Sequence, residues 1–384
     1  MIRRIALALA LGASAGIVMS ASTPAETRAR AEDIRATAQA LAAEVQDAAG
    51  GDYQRWHQQL AAFRANLWPR LESAIGRTGA YRANPTTVES PLLKVPGTPP
   101  LFEMPGYGVY VAAPNTDNAD WLDNLEAVKT FIAVSRWLKS KDIDLIVVPT
   151  PRIPEAYGDM LAPAPKTTTV APWLKGIYAK LLAADVEVVD LMPVFTAARR
   201  VSVEPLYLAA DGHWSDRAQR LAAVEIARRV KRYAPVAAAL RRPALFKATP
   251  TRVALPGALF PMLSDAEKAE VRPAVTSMPL TLITTVAGVP FEEPSTSPVM
   301  VIGDSLTHYF QLGVKKGSGI DALLSKEINL AVSNVSAAGA TIAPIKEFLR
   351  RPELLSGRRV VVWILSNSLL VEPKDAWALP NLTK

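Results

Sequence analysis

Apolar positions along the 384-residue chain change period several times, and each change marks a predicted element. From Pro24 to about Ile75 they recur every three or four residues, with Ile34, Ala38, Leu41 and Val45 on one stripe and Tyr53, Trp56, Leu60, Phe63 and Leu67 on another. Gly50 and Gly51 separate the two stripes, so the spacing predicts a helical hairpin or stalk over residues 23–82. Residues 83–106 hold six prolines and little periodicity, which predicts a Pro-rich linker. Beyond Gly108 short apolar runs alternate with amphipathic stretches. Val109–Ala112, Ile143–Val148, Val186–Leu191, Val299–Ile302 and Ile328–Val332 read as strands. Trp121–Leu138 and Trp173–Leu182 read as helices, as does the stretch after Ser215 that would turn Leu221, Val224, Ile226 and Val230 to the sheet. Such alternation predicts right-handed crossovers and an α/β fold, a doubly wound parallel sheet covered on both faces, over residues 107–371. Within it residues 241–297 are Pro-rich with alternating apolars at Thr281–Val286, which predicts a small inserted β element that walls a cleft or packs on the sheet edge. Residues 372–384 read as a tail.

The sharpest change of character falls at Gly303. A β-branched run ends there, and Leu306, Tyr309, Phe310 and Val314 follow at helical spacing, so Ser305 opens a helix directly after a strand. Unpaired N–H groups and the positive end of the helix dipole then lie beside its hydroxyl, a favourable seat for a nucleophile. The same position also suits an ordinary N-cap serine.

A second informative stretch is Asp211-Gly212-His213-Trp214-Ser215, followed at once by the helix that Ser215 caps. With one residue between them, the Asp211 carboxylate can meet Nδ1–H of His213 and leave Nε2 free. Alone, the pair is equally a capped loop or a metal pair. Placed beside Gly303-Asp304-Ser305 on one sheet, it supplies nucleophile, base and orienter. Functional residues of such sheets belong at the carboxyl ends of strands, which makes Arg152 and Tyr157 candidate substrate contacts, or else a loop Arg with a Tyr packed below it. Tyr309 is a further candidate for the same pocket. For the second oxyanion donor beside the Ser305 N–H, Asn334 and Gly339 are the candidates, against a plain glycine turn. His57 reads as a surface or packing residue, and His308 as a cleft-wall or packing residue without a carboxylate two positions away. Three histidines and no second carboxylate at ligand spacing give no metal site, and no cofactor is expected.

Composition narrows the class. There is no cysteine, which excludes disulfides, thiolate metal sites and a Cys nucleophile. Lys and Arg outnumber Asp and Glu by 43 to 36 and the sequence pI is about 9.5, so an anionic partner is attracted. No nucleic-acid module accompanies the Arg pairs, which read as solvated faces. Arg3-Arg4, the apolar Ile5–Met19 and small residues at Ser20-Ala21-Ser22 predict an exported, periplasmic protein, with residues 1–22 as a signal peptide or an uncleaved anchor in the inner membrane.

The motifs Asp211-Gly212-His213-Trp214-Ser215 and, about ninety positions later, Gly303-Asp304-Ser305 resemble the SGNH hydrolase-like domain of the AlgJ and AlgX alginate O-acetylation proteins. The likeness runs over about residues 105–370 and includes Ile143–Val148 with its Pro-rich loop, Val188–Leu191 and Val360–Trp363. Asp and His precede Ser, as in that family, whereas Asp304 is like the wider GDSL esterases. The resemblance implies an O-acetyltransferase with Ser305, His213 and Asp211 as nucleophile, base and orienter. It also implies a polysaccharide acceptor, a membrane protein that passes the acetyl group, and an export complex as partners. A carbohydrate acetylesterase and a non-catalytic polysaccharide-binding subunit are the alternatives.

Overall fold

The computed structural model describes residues 22–49, 80–84, 87–91, 93–95, 97–103, 125–157, 160, 173–339, 341–371 and 374–382. The expected signal or anchor, the second stripe of the expected hairpin with His57, and the expected strand at Val109–Ala112 lie outside these residues.

Helix α1 (Pro24–Ala49) is followed by two short antiparallel pairs, β1 (Ala80–Asn84) with β2 (Thr87–Pro91) and β3 (Leu93–Val95) with β4 (Leu101–Glu103). These strands occupy the segment expected as the end of a helix and a linker, because prolines that flank or end paired runs, as Pro91 ends β2, punctuate strands as readily as they extend a linker. Next come α2 (Glu126–Lys139), β5 (Asp144–Thr150), the single turn α3 (Ile153–Ala156), α4 (Trp173–Ala183), β6 (Glu187–Val188) and α5 (Met192–Val201). After the Asp211–His213 loop run α6 (Asp216–Val230) and α7 (Ala234–Leu240). The insertion is β7 (Phe246–Val253), α8 (Asp265–Thr276) and β8 (Met278–Thr285), with β7 and β8 antiparallel over eight residues each. The chain closes with β9 (Val299–Gly303), the short α9 (Ser305–His308) that passes into a π-turn at Tyr309–Val314, α10 (Ile320–Ile328), β10 (Ser333–Ser336), α11 (Ala343–Arg350) and β11 (Val360–Ser366).

Five strands form one parallel sheet in the order β10-β9-β11-β5-β6. Crossovers run outward in one direction from β5 to β6 and in the other from β9 to β10, and β11 fills the centre between the two halves. The sequence reversal therefore lies over β9, β11 and β5, where open α/β sheets bind ligands at the carboxyl ends. Each of β5, β9 and β11 is buried along its full length, which explains why they read as unbroken apolar runs rather than alternating ones.

Several expected elements shift. Ile328–Val332 is not a strand. It is the end of α10 and a turn, where Asn329 takes a left-handed conformation (φ 54°) and bonds Leu245 N and the carbonyl of Ala239 through its amide. A five-residue stretch with four apolar positions carries no period long enough to tell strand from helix end. Of Val186–Leu191 only Glu187–Val188 pairs, because Asp190 Oδ1 accepts from Met192 N (3.0 Å) and starts α5. On α6, Ala222, Ala223, Ile226 and Val230 form the buried face while Val224 points outward, 50% exposed. Trp377, in the stretch expected as a tail, is fully buried against Phe131 and Trp363 and accepts a hydrogen bond from Thr130 Oγ1 at its carbonyl (2.9 Å).

Helix α1 is docked on the main domain rather than standing off as a stalk. Arg30 pairs with Asp185 (2.9 Å), Glu26 with Arg359 (3.1 Å), and Asp33 with Arg229 (2.9 Å) and Arg232 (2.7 Å). Asp185, Glu187 and Arg359 stand at the amino ends of β6 and β11, so these ion pairs close the edge of the sheet opposite to the carboxyl ends.

Candidate active site

The strand β9 ends against its neighbour so tightly that only glycine fits. A Cβ on Gly303 would stand 1.9 Å from the Ile364 carbonyl oxygen and 2.7 Å from Thr307 Cγ2. The chain then turns into α9 at Asp304. Its buried carboxylate accepts from Leu306 N (Oδ1, 2.9 Å) and from Ser366 N at the end of β11 (Oδ2, 2.8 Å). Burial pushes the Asp304 carboxyl up, against those two N–H groups. Asp304, not Ser305, is therefore the N-cap. The capping role open to Ser305 is taken, and among the described residues neither its hydroxyl nor its N–H is spent on a hydrogen bond.

The base and orienter form the pair expected from their spacing. His213 Nδ1 lies 2.5 Å from Asp211 Oδ1, and the same oxygen accepts from His213 N (3.0 Å). Asp211 is almost fully buried while the His213 side chain is 22% exposed, so the imidazole alone faces the opening. Burial pushes the Asp211 carboxyl up, but the hydrogen bond and charge of His213 and the N–H groups of Ala258 and His213 outweigh it and hold it below the usual carboxylate range.

Two further groups complete Asp211. Oδ2 accepts from Ala258 N (3.0 Å), contributed by the insertion, and from the Tyr309 hydroxyl (3.2 Å). The Ala258 N–H reaches Asp211 through a turn in which Gly257 has φ +81° and where a Cβ would stand 2.4 Å from the Ala210 carbonyl oxygen. The Tyr309 ring also stacks on the His213 ring, 4.0 Å between centroids and 5° between planes. Burial and the Asp211 charge push the Tyr309 phenol up, which keeps it a proton donor. Trp214 Nε1 donates to the Leu306 carbonyl (3.0 Å) and ties the Asp211–His213 loop to α9. Ser305 and His213 are thus carried by two segments joined at Trp214 and Tyr309, with no hydrogen bond between Ser305 Oγ and His213 in this structure.

The other candidates divide. Arg152 sits past the end of β5, where burial lowers its pKa against the opposing pull of Tyr207, Glu155, Asp304 and Asp211. Tyr157 does not face a substrate: its ring lies under the Arg199 guanidinium (4.2 Å) and against Tyr207, and its hydroxyl accepts from Leu206 N (2.9 Å). Asn334 lies on β10 itself, and its amide donates to the Thr307 carbonyl (3.1 Å), one turn into α9. Gly339 is exposed in a turn at φ +62°, with no protein atom near a Cβ. His308 is half-buried, and burial lowers its pKa. No cluster of three or more His, Asp or Glu side chains able to hold a metal occurs among the described residues. The Gly257-Ala258 turn and the ring stacking of Tyr309 were beyond sequence reading, since one depends on how the insertion folds back and the other on a π-turn shifting the helical register.

A protein-family profile, described as the SGNH hydrolase-like domain of acetyltransferase AlgX, matches residues 113–367. The chain belongs to that family. This SGNH hydrolase-like acetyltransferase is accordingly an enzyme of the O-acyltransferase class. Among solved structures it is similar to the O-acetyltransferase domain of Pseudomonas putida AlgJ, at 18% identity and a TM-score of 0.52, over 71% of this chain and 90% of that one. It is also similar to Pseudomonas aeruginosa AlgX, at 18% identity and a TM-score of 0.45, over 64% of this chain and 60% of that one. Bacillus cereus PatB1 matches at 12% identity and a TM-score of 0.44, over 74% of this chain and 98% of that one. No curated protein matches by sequence. These likenesses concern the fold, and no helix among the described residues is long and apolar enough to cross a membrane.

Proposed function

We propose that this acetyltransferase moves acetyl groups onto hydroxyls of an exported anionic polysaccharide of the alginate type, through an acetyl-Ser305 intermediate in the periplasm. The observation that carries the reading is the division of labour at the turn after β9: Asp304 caps α9 and leaves both the hydroxyl and the N–H of Ser305 uncommitted, with the Asp211–His213 pair tied over the same turn. His213 Nε2 takes the Ser305 proton as Oγ attacks the acetyl carbonyl of the donor. The Ser305 N–H bonds the resulting oxyanion. Collapse expels the donor's leaving group, which receives that proton from His213. His213 then takes the proton of the acceptor hydroxyl, whose oxygen attacks the acetyl-serine, and Ser305 recovers its proton on collapse. Asp211, held by four donors, keeps the imidazole in the tautomer with Nε2 free and stabilises the imidazolium that forms. Of the two candidate second donors we favour Asn334, whose amide keeps one N–H beside the bond to the Thr307 carbonyl. Arg152, past the end of β5, is the residue we assign to an acceptor carboxylate. A membrane protein that presents the acetyl group and an export complex that carries the polymer are the partners this reaction requires outside the cytoplasm.

The test is incubation with an acetyl donor ester, followed by mass spectrometry of the Ser305 peptide and by transfer to a uronate oligomer. An acetyl adduct that forms on Ser305, is absent in Ser305→Ala and is resolved faster by the oligomer than by water supports the proposal. Faster resolution by water would make the protein an acetylesterase, and no adduct with retained polymer binding would make it a binding subunit.

A further inference from the structure

A cavity of about 350 Å³ lies between the Asp211–His213 loop and the insertion, behind the strand-like segment Tyr207–Ala209 and separate from the crevice that holds Ser305. We propose that it binds a carboxylated sugar unit of the acceptor polymer, as a second subsite beside the reacting one; this rests on the acceptor class proposed above.

Three observations carry it. The cavity has the size of a sugar unit or two, and part of its wall is flat and apolar: Pro205, Pro273, Pro279 and Met278 present ring and methylene faces of the kind that pack against the C–H face of a pyranose. Its carboxylates each have a cationic neighbour. Glu270 pairs with Lys94 (2.8 Å), Asp216 with Arg220 (2.9 Å) and with the N–H and hydroxyl of Thr281, and Glu204 lies 3.9 Å from both Arg217 and Arg220. Arg252 is different. Its guanidinium lines the cavity and donates to Ser277, from Nε to Oγ at 2.6 Å and from Nη2 to the carbonyl, but among the described residues no carboxylate pairs with it. Its charge and its Nη1 edge are left for an anion, and a guanidinium edge matches a carboxylate in geometry. A pocket with paired acids, one uncompensated arginine at its mouth and a proline-lined wall selects an acidic sugar over a neutral one.

Position gives the subsite a use. Ser215, Tyr207 and Leu208 line the cavity, and Leu208 N bonds the His213 carbonyl (3.0 Å), so a sugar held there lies along the back of the loop that carries the base. A polymer seated in both places would be fixed in register over Ser305 without any added contact at the reacting hydroxyl.

The test uses the full protein, a uronate oligomer and a neutral glucan oligomer of equal length, in a salt series, with wild type, Arg252→Ala and Arg252→Glu. Arg252 is exposed and its two bonds go to Ser277 alone, so both variants should stay folded with only a small loss in Tm. Loss of one charge-assisted carboxylate contact should weaken uronate binding about tenfold in Arg252→Ala, and more in Arg252→Glu, at moderate salt where long-range attraction is screened. Neutral glucan binding and hydrolysis of a small acetyl ester should be unchanged in both. Equal uronate affinity in wild type and Arg252→Glu, or no preference of wild type for uronate over glucan, would overturn the subsite. Because ester hydrolysis and the Ser305 adduct are read separately, a failed triad and a failed subsite give different results.

Discussion

Tyr309→Phe isolates one contact of the site, because it deletes the hydroxyl that reaches Asp211 Oδ2 and keeps the ring that stacks on His213. A hydrogen bond to a charged group contributes about 1.5–3 kcal/mol, but at 3.2 Å this one is long for a hydroxyl on a carboxylate, and Oδ2 keeps the Ala258 N–H, so the loss should be about 1–1.5 kcal/mol. For a domain of this size that lowers Tm by roughly 2–6 °C. If the same deficit appears in the transition state, turnover falls about five- to tenfold. The pH dependence identifies the cause. Asp211 is held below the usual carboxylate range in the folded state, so what its donors contribute is present above the unfolded pKa of about 4 and is lost as pH falls through the folded value. The Tm difference between wild type and Tyr309→Phe should therefore be full at neutral pH and shrink below about pH 4. The assay is calorimetry from acid to neutral pH, paired with ester hydrolysis. A Tm difference that is constant across that range, or no loss in turnover, would refute the assignment of Tyr309 as a holder of Asp211.

Gly257→Ala forces a left-handed turn and a 2.4 Å approach to the Ala210 carbonyl to relax together, which withdraws the Ala258 N–H from Asp211. Turnover should fall by about ten- to a hundredfold, with a melting loss of about 1–3 kcal/mol; unchanged turnover would show that the insertion does not serve the site. Glu155 is buried below Arg152, where burial pushes its carboxyl up to about 7 against the Arg152 N–H and the Asn367 amide. Its folded pKa is raised, so its contribution is full below the unfolded value near 4.5 and is lost as pH rises toward about 7, on the order of 3 kcal/mol. Glu155→Gln, which keeps the neutral acceptor, should flatten the fall of stability over that window, as urea titrations at several pH values would show; an unaltered slope would point to another group.

Sequence alone determined the α/β class, because β5 and β9 are buried on both faces and their apolar runs need no partner to be recognised. It also determined the Asp211–His213 contact, which two residues of separation make nearly inevitable in a turning loop, and the strand-to-helix turn that presents Ser305. What it left open at each point was a choice between two physically equivalent local readings. Ser305 as cap or as free hydroxyl was decided by Asp304, whose second oxygen finds Ser366, 62 residues away. Tyr157 as ligand contact or packed ring, and Gly339 as donor or plain turn, stayed open until packing put one under Arg199 and the other in open space. The end of α10 looked like a strand because four apolar positions in five residues carry no period that separates helix from strand. Helix α1 looked free until its arginines and carboxylates met partners more than a hundred residues away. Local chemistry sets what a residue is able to do, and the tertiary fold sets which of its neighbours have already claimed it.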